Sequence, residues 1–158
     1  MTVDPGGELA VLTFALAGER CALAADDVRE VVRAALPVRL PKAPDIIAGV
    51  LDVRGELVPL LALRRRFGLP PRLLAPDDHI VVARVGHRVV AFAVERALEL
   101  ARVPAALVDA PAAAASGVEH VAGLARLADG PLLIYDLRAF LTADEALGLD
   151  RALAQAGS

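Results

Sequence analysis

The chain has 158 residues, 56% hydrophobic and 23% charged, a composition that buries a sizeable core without staples and excludes an intrinsically disordered protein. A formal net charge of −3 and a pI near 5.6 argue against a general nucleic-acid or membrane-surface binder. The one cysteine, Cys21, permits no internal disulfide, and no apolar run reaches the ~18 residues of a membrane span, so a soluble, cytoplasmic, single-domain protein is expected.

In chain order, residues 1–8 read as a flexible leader without the features of a secretory signal. Leu12, Phe14 and Leu16 alternate with small or polar residues, the period-2 pattern of a half-buried strand, and Cys21 and Leu23 continue on a partner strand after Gly18-Glu19. Asp26-Asp27 reads as the cap of a short helical turn through Val31. Pro37, Pro41 and Pro44 mark an extended connection. A second hairpin is predicted over residues 46–63 with Arg54-Gly55 at its tip, and Pro59 requires an edge or a bulge there. Residues 63–67 read as a helical turn closed by Gly68, and 69–78 as a loop. A third hairpin turns at Gly86-His87, residues 103–116 read as a long connection, and a fourth hairpin turns at Asp129-Gly130. From Leu137 the chain has helical spacing to about Ala154. Many short strands with few helices predict an all-β barrel or a pair of barrels, its core of Val, Leu, Ile and Ala because aromatics are only 3%.

Two stretches align without gaps over twenty residues: AGVLDVRGELVPLLALRRRF from Ala48 and AGLARLADGPLLIYDLRAFL from Ala122. Gly49 falls on Gly123 and Arg64 on Arg138. A second echo sets LAADDVREV, from Leu23, on FAVERALEL, from Phe92, so that Glu30 falls on Glu99. Two echoes in the same order predict an internal duplication, each half a small five-stranded unit, with a seam between the two.

Chemistry-bearing motifs are few. The phosphate-cradling glycine motifs and the G-x-S-x-G nucleophile motif are missing, and Ser116 and Thr142 stand without partners in sequence. His79, His87 and His120 lack metal-ligand spacing, so no metal or other cofactor is expected. Cys21 reads as a small core residue and Arg64-Arg65-Arg66 as a solvated face or a contact for an acidic surface. Glu30 and Arg54 remain. Either they pair, because each alone near apolar surface is costly to desolvate, or they are two independent surface charges.

GVLDVRGELVPLLALRRRFG, from Gly49, resembles the CheW-like pattern G-V-(I/T)-N-L-R-G-x-(I/V)-(I/V)-P-(I/V)-(I/V)-D-L-R-x-(R/K)-F. VREV at residues 28–31, RVVAFAVE at 88–95 and the closing GLARLADGPLLIYDLRAFL resemble further motifs of that family in the same order. The resemblance spans about Leu9 to Leu147. It implies two intertwined SH3-like five-stranded β-barrels over residues 9–147, with a C-terminal helical tail at 148–158, and a non-catalytic adaptor. Its implied partners are the regulatory domain of a CheA-type histidine kinase and the cytoplasmic hairpin tip of a methyl-accepting chemoreceptor, the latter in an apolar groove between barrels. Nucleic acid and direct membrane insertion are not implied. By position, Val28, Glu30, Gly49, Arg54, Gly55 and Leu57 match the partner-contacting region, with Ala97 and Gly123 in the second half.

The chain departs from the pattern in places. Asp52 and Val53 replace Asn and Leu before the tip arginine, and Ala62 replaces a capping Asp that the second copy keeps as Asp136. Two other readings stand beside the adaptor: a diverged module that docks a kinase without receptors, and a small enzyme or ligand-binding barrel using Asp26, Asp27 or His79.

Overall fold

The computed structural model describes residues 2–109 and 121–156. Strands β1 (Glu8–Leu16) and β2 (Glu19–Ala24) form a hairpin, and a 3-10 turn (Ala25–Asp27) leads into β3 (Val28–Arg33). Next come β4 (Ile47–Val53), β5 (Glu56–Leu61) and a single helical turn, α1 (Leu63–Arg66). Strands β6 (His79–Val85) and β7 (Arg88–Val94) make another hairpin; β8 (Arg96–Pro104) runs through a 3-10 turn (Ala105–Leu107) into the short β9 (Val108–Asp109). After β10 (Val121–Leu127) and β11 (Gly130–Tyr135), a 3-10 turn (Leu137–Phe140) precedes α2 (Ala143–Ala156). Ser116 and His120 lie outside the described residues, as does the later part of the predicted 103–116 connection.

One sheet has the order β8-β1-β2-β11-β10-β9 and the other β3-β6-β7-β5-β4. The halves are intertwined: β1–β2 lies among strands of the second half, and β6–β7 lies between β3 and β5 of the first. The stub β9, paired as Leu124↔Asp109, is the sixth strand; its counterpart in the other sheet is the isolated Val38↔Val50 bridge.

The duplication read from sequence is present residue by residue. Ile47↔Leu61 and Gly49↔Leu60 in one hairpin correspond to Val121↔Tyr135 and Gly123↔Ile134 in the other, each with a bulge at the intervening alanine. Leu60 pairs in parallel with Ala91, and Ile134 with Ala22, which joins the two echoes into one repeat. Strands β3 and β8 carry equivalent bulges, before Glu30 and before Glu99.

Alternation along the strands feeds separate cores. One barrel interior holds Leu9, Val11, Ala22, Val103 and Ile134; the other holds Leu51, Val58, Ile80, Val82 and Ala91. The opposite faces of β1 and β7 meet in the largest core, with Phe14, Leu16, Leu23, Val81, Phe92 and Val94. The seam between barrels is thus the main core. The four phenylalanines and the one tyrosine form a chain of ring contacts through it, Phe14–Phe92–Phe140–Phe67–Tyr135, at centroid distances of 5.9, 5.8, 5.6 and 4.8 Å. Few as they are, the aromatics sit where the two sheets meet, beyond the aliphatic core expected from composition.

Several expectations need correction. Residues 28–31 are strand, not a helical turn: half-buried Val28, Glu30 and Val32 alternate with exposed Arg29, Val31 and Arg33, and the valines favour a pleated surface. Residues 103–104 belong to β8, and the bend at 105–107 copies the one at 25–27. Pro59 is in a strand with neighbours on both sides, yet its missing donor costs little. Opposite Val50 turns both backbone groups to Val38, at 2.9 and 2.8 Å, and the pairing with β7 involves Leu60 and Leu61. The helical stretch after Leu137 breaks at Leu141–Thr142, and α2 then docks across residue 147 with Leu149 and Ala152 in the main core. At the other end, Asp4 closes a turn on Glu8 by backbone and carboxylate hydrogen bonds and pairs with Arg102 at 2.6 Å.

Candidate functional site

The β4–β5 hairpin ends in a two-residue turn with positive φ at Arg54 (53°) and Gly55 (85°), the combination that matches the twist of a tight hairpin. The Gly55 N–H donates to Asp52 Oδ1 at 2.7 Å, so the departure to aspartate keeps the turn-closing acceptor an asparagine would supply. Arg54 thereby stands at the tip with 79% of its side chain exposed.

Its Nη2 lies 3.3 Å from Oε1 of Glu30, whose side chain is only 16% exposed. Of the two alternatives left open by the sequence, the structure has the pair in contact, although not aligned: among the described residues no donor reaches Oε1 with hydrogen-bond geometry. Arg29 lies beside it. Its Nη1 donates to Glu56 Oε2 at 2.6 Å, its Nε is 3.7 Å from Glu30 Oε2, and the Glu56 hydrogen bond holds the guanidinium above its ordinary pKa. These contacts run between β3, at one edge of its sheet, and the hairpin at the other, so they staple the closing barrel. Exposed Leu57 follows Glu56, and half-buried Val28 precedes Glu30 by two residues on β3.

The other candidates lie elsewhere. Gly49 is buried beneath residues 37–38: a Cβ there would come within 2.6 Å of the Val38 carbonyl oxygen and 2.8 Å of Pro37 Cβ, so its glycine serves the close crossing of backbones. Ala97 and Gly123 are in the six-stranded sheet, the former half-buried and the latter buried.

The resemblance implied an apolar groove between barrels but named none of its residues; the structure has an apolar groove of about 650 Å³ flanking the main core, lined by Leu16, Leu36, Leu60, Leu69, Leu73 and Leu74 among others. Leu36 and Leu73 are 82% and 91% exposed. The signal was legible as leucines set among prolines, in ALPV and GLPPRLL, where loops rather than strands hold them. Its arginines are already matched: Arg64 with Glu95 (3.5 Å), Arg65 with Asp45 (3.2 Å) and Arg72 with Asp78 (2.7 Å).

The residues of the enzyme reading do not converge on one site. Asp27 is half-buried and faces a polar cavity of about 370 Å³ with Arg84, Asp136 and Arg138, its carboxyl pushed up by burial. His79 begins β6, and His87 is at the β6–β7 tip. Cys21 is buried, with its thiol pushed up to about 11, the behaviour of a core residue.

The structure is thus a duplicated pair of intertwined small barrels with a charged hairpin tip and an apolar groove. The CheW-like domain model matches residues 10–145, and the chain belongs to that family. It is 30% identical over 112 residues to the protein FrzA of Myxococcus xanthus, covering 70% of each chain. It is 28% identical over 95 residues to the chemotaxis protein CheW of Helicobacter pylori, covering 60% of this chain but 58% of that one, little more than half. The scaffolding protein TtCheW of Thermoanaerobacter tengcongensis shares the fold, with a TM-score of 0.79 over 87% of this chain and 94% of that one at 24% identity. Among the described residues no helix is long and apolar enough to cross a membrane.

Proposed function

We propose that this chain is a cytoplasmic adaptor that couples the hairpin tips of methyl-accepting chemoreceptors to the regulatory domain of a CheA-type histidine kinase, in arrays at the inner face of the membrane. The observation that carries the reading is the barrel end where Arg54 stands exposed over a nearly buried Glu30, with Leu57 beside it. Charges held by a rigid hairpin next to apolar surface suit a protein partner, since rigid placement lowers the ordering cost of docking. The leucine groove supports the second half of the reading, because an apolar channel with its rim charges already paired suits the apolar stripe of a helical hairpin.

Calorimetric titration into the regulatory domain of a CheA-type kinase from the same genome tests the proposal. Binding in the micromolar range or tighter is expected, with a receptor hairpin fragment then binding the same protein. If no kinase paralogue binds, the adaptor reading falls. If the kinase binds and the receptor fragment does not, the protein is a kinase-docking module alone.

A further inference from the structure

The groove's most exposed leucines are carried by loops, and a leucine on a surface loop is held in place only by what ties the loop down. Asp78 ties down both of the loops concerned. Its side chain is 2% exposed, and its carboxylate accepts from Arg72 Nη1 and Nη2 at 2.7 and 3.1 Å and from the Ala75 N–H at 2.8 Å. Its backbone N–H donates to the Ala75 carbonyl at 3.0 Å, and its own carbonyl accepts the Ala34 N–H at 3.2 Å. Leu73 lies between the residues that donate to the carboxylate, and Leu36 lies two residues beyond Ala34. Arg72 and Asp78 themselves line the groove. A loop that only links α1 to β6 has no need of a carboxylate out of water, because burial costs the group its hydration and the net return from its donors is modest.

We propose that Asp78 is a positioning residue for the groove: through Arg72 and the Ala75 N–H it holds Leu73 where the apolar stripe of the receptor hairpin meets it, so that the loop is ordered before the partner arrives. An untied loop would have to be fixed at the moment of docking, at a cost in affinity. The rim charges are paired within the chain, so the groove calls for no charged group on the partner, and a leucine against an apolar stripe is the contact it offers. The inference rests on the adaptor reading and adds to it the residue that sets the groove's shape.

The test is a mutant cycle between Asp78→Asn and Leu73→Ala, with each variant titrated against the receptor hairpin fragment and, separately, against the kinase regulatory domain. Each single change should weaken hairpin binding about tenfold, and the double variant should bind no more than about threefold weaker than Leu73→Ala, because a residue that acts through Leu73 has little left to place once that side chain is gone. Kinase affinity should stay within about twofold, since Glu30, Arg54 and Leu57 do not line the groove. Unchanged hairpin affinity in either single variant, losses that multiply in the double, or an equal loss of kinase affinity would make Asp78 an ordinary support of the fold; each overturns the proposal and leaves the adaptor reading standing. A wild-type chain that binds no hairpin fragment overturns the receptor half of that reading and this inference with it. Thermal unfolding accompanies each titration, and if Asp78→Asn does not fold, Arg72→Gln replaces it in the same cycle with the same expectation.

Discussion

The two copies of the repeat share a backbone and differ in what they hang on it. In each, a hairpin of the same register follows an equivalent bulge and turns in two residues, Arg54-Gly55 in one and Ala128-Asp129 in the other. Glu30 of the first copy is nearly buried beneath Arg54, whereas Glu99 of the second is exposed, offers its carbonyl to the Thr13 hydroxyl at 3.2 Å, and has alanine at the position of the tip arginine. The second tip ties its charges off, Asp129 to Arg20 at 2.8 Å and Arg126 to Asp109 at 3.1 Å. Duplication kept the register, which the cores enforce, and left the tips free to diverge. One tip became a candidate contact and the other part of the wall.

If the shared core rather than either barrel holds the molecule together, the largest loss should come from the ring joining the copies. Phe140 is fully buried and touches Phe67, Phe92 and Tyr135. Phe140→Ala is expected to cost about 3–5 kcal/mol in urea unfolding while the transition stays single. Two separated transitions would mean that the barrels are independent units. Gly49→Ala should come next, at about 1–3 kcal/mol, because its new methyl meets the Val38 carbonyl and not a yielding side-chain end. Its effect on partner affinity, measured on the folded fraction, should be small; a large affinity loss with normal stability would move Gly49 from scaffold to contact.

Acid should also separate regions of the molecule. In the loop before β6, Asp78 is buried and accepts from Arg72 at 2.7 and 3.1 Å and from the Ala75 N–H at 2.8 Å. Burial opposes ionisation there, but these bonds outweigh it and hold the carboxyl below its ordinary value. Glu145 on α2, beside Arg66 and the Thr142 N–H, is lowered against burial in the same way. A depressed carboxyl contributes stability that is present above its unfolded pKa, about 4, and is lost as pH falls through the folded one. The loop 68–78 and α2 should therefore lose amide protection below about pH 4 before β10 and β11, whose exposed pairs hold little. Hydrogen exchange at pH 3 and 7 reads the order, and simultaneous loss would refute it.

Most of this architecture was legible in the sequence, for a physical reason. Turn glycines and aliphatic alternation encode hairpins locally, and a repeated local code exposes a duplication even at low identity. The reading of residues 28–31 fails because Asp26-Asp27 lie inside a 3-10 turn that ends at Asp27 and cap no helix beyond it, and four residues carry too little period to decide. The residues lining the groove follow no period because loops make it: Leu36 and Leu73 are far apart in sequence, and only their setting among prolines marks them. The Glu30–Arg54 contact was legible as residue types, but the solvent-shielded, unaligned oxygen depends on a bulge and a hairpin twist that only coordinates specify.

The smallest effect isolates a single atom group. In the second copy Asp136 Oδ1 accepts the Arg138 N–H at 3.0 Å and caps the turn that follows; in the first, Ala62 occupies the same position and no side chain caps α1. The backbone enters the two caps in a similar way, with φ −82° and ψ 77° at Ala62 and φ −92° and ψ 107° at Asp136, although an α-helical turn follows the first and a 3-10 turn the second. Ala62→Asp should stabilise the protein by about 0.5–1 kcal/mol and Asp136→Ala should cost about as much, both read from urea midpoints at constant slope. The added carboxylate would also stand near Arg64 and Arg65 at the groove rim. A gain well above 1 kcal/mol that vanishes in salt would therefore mark the rim arginines, and not the cap, as its source.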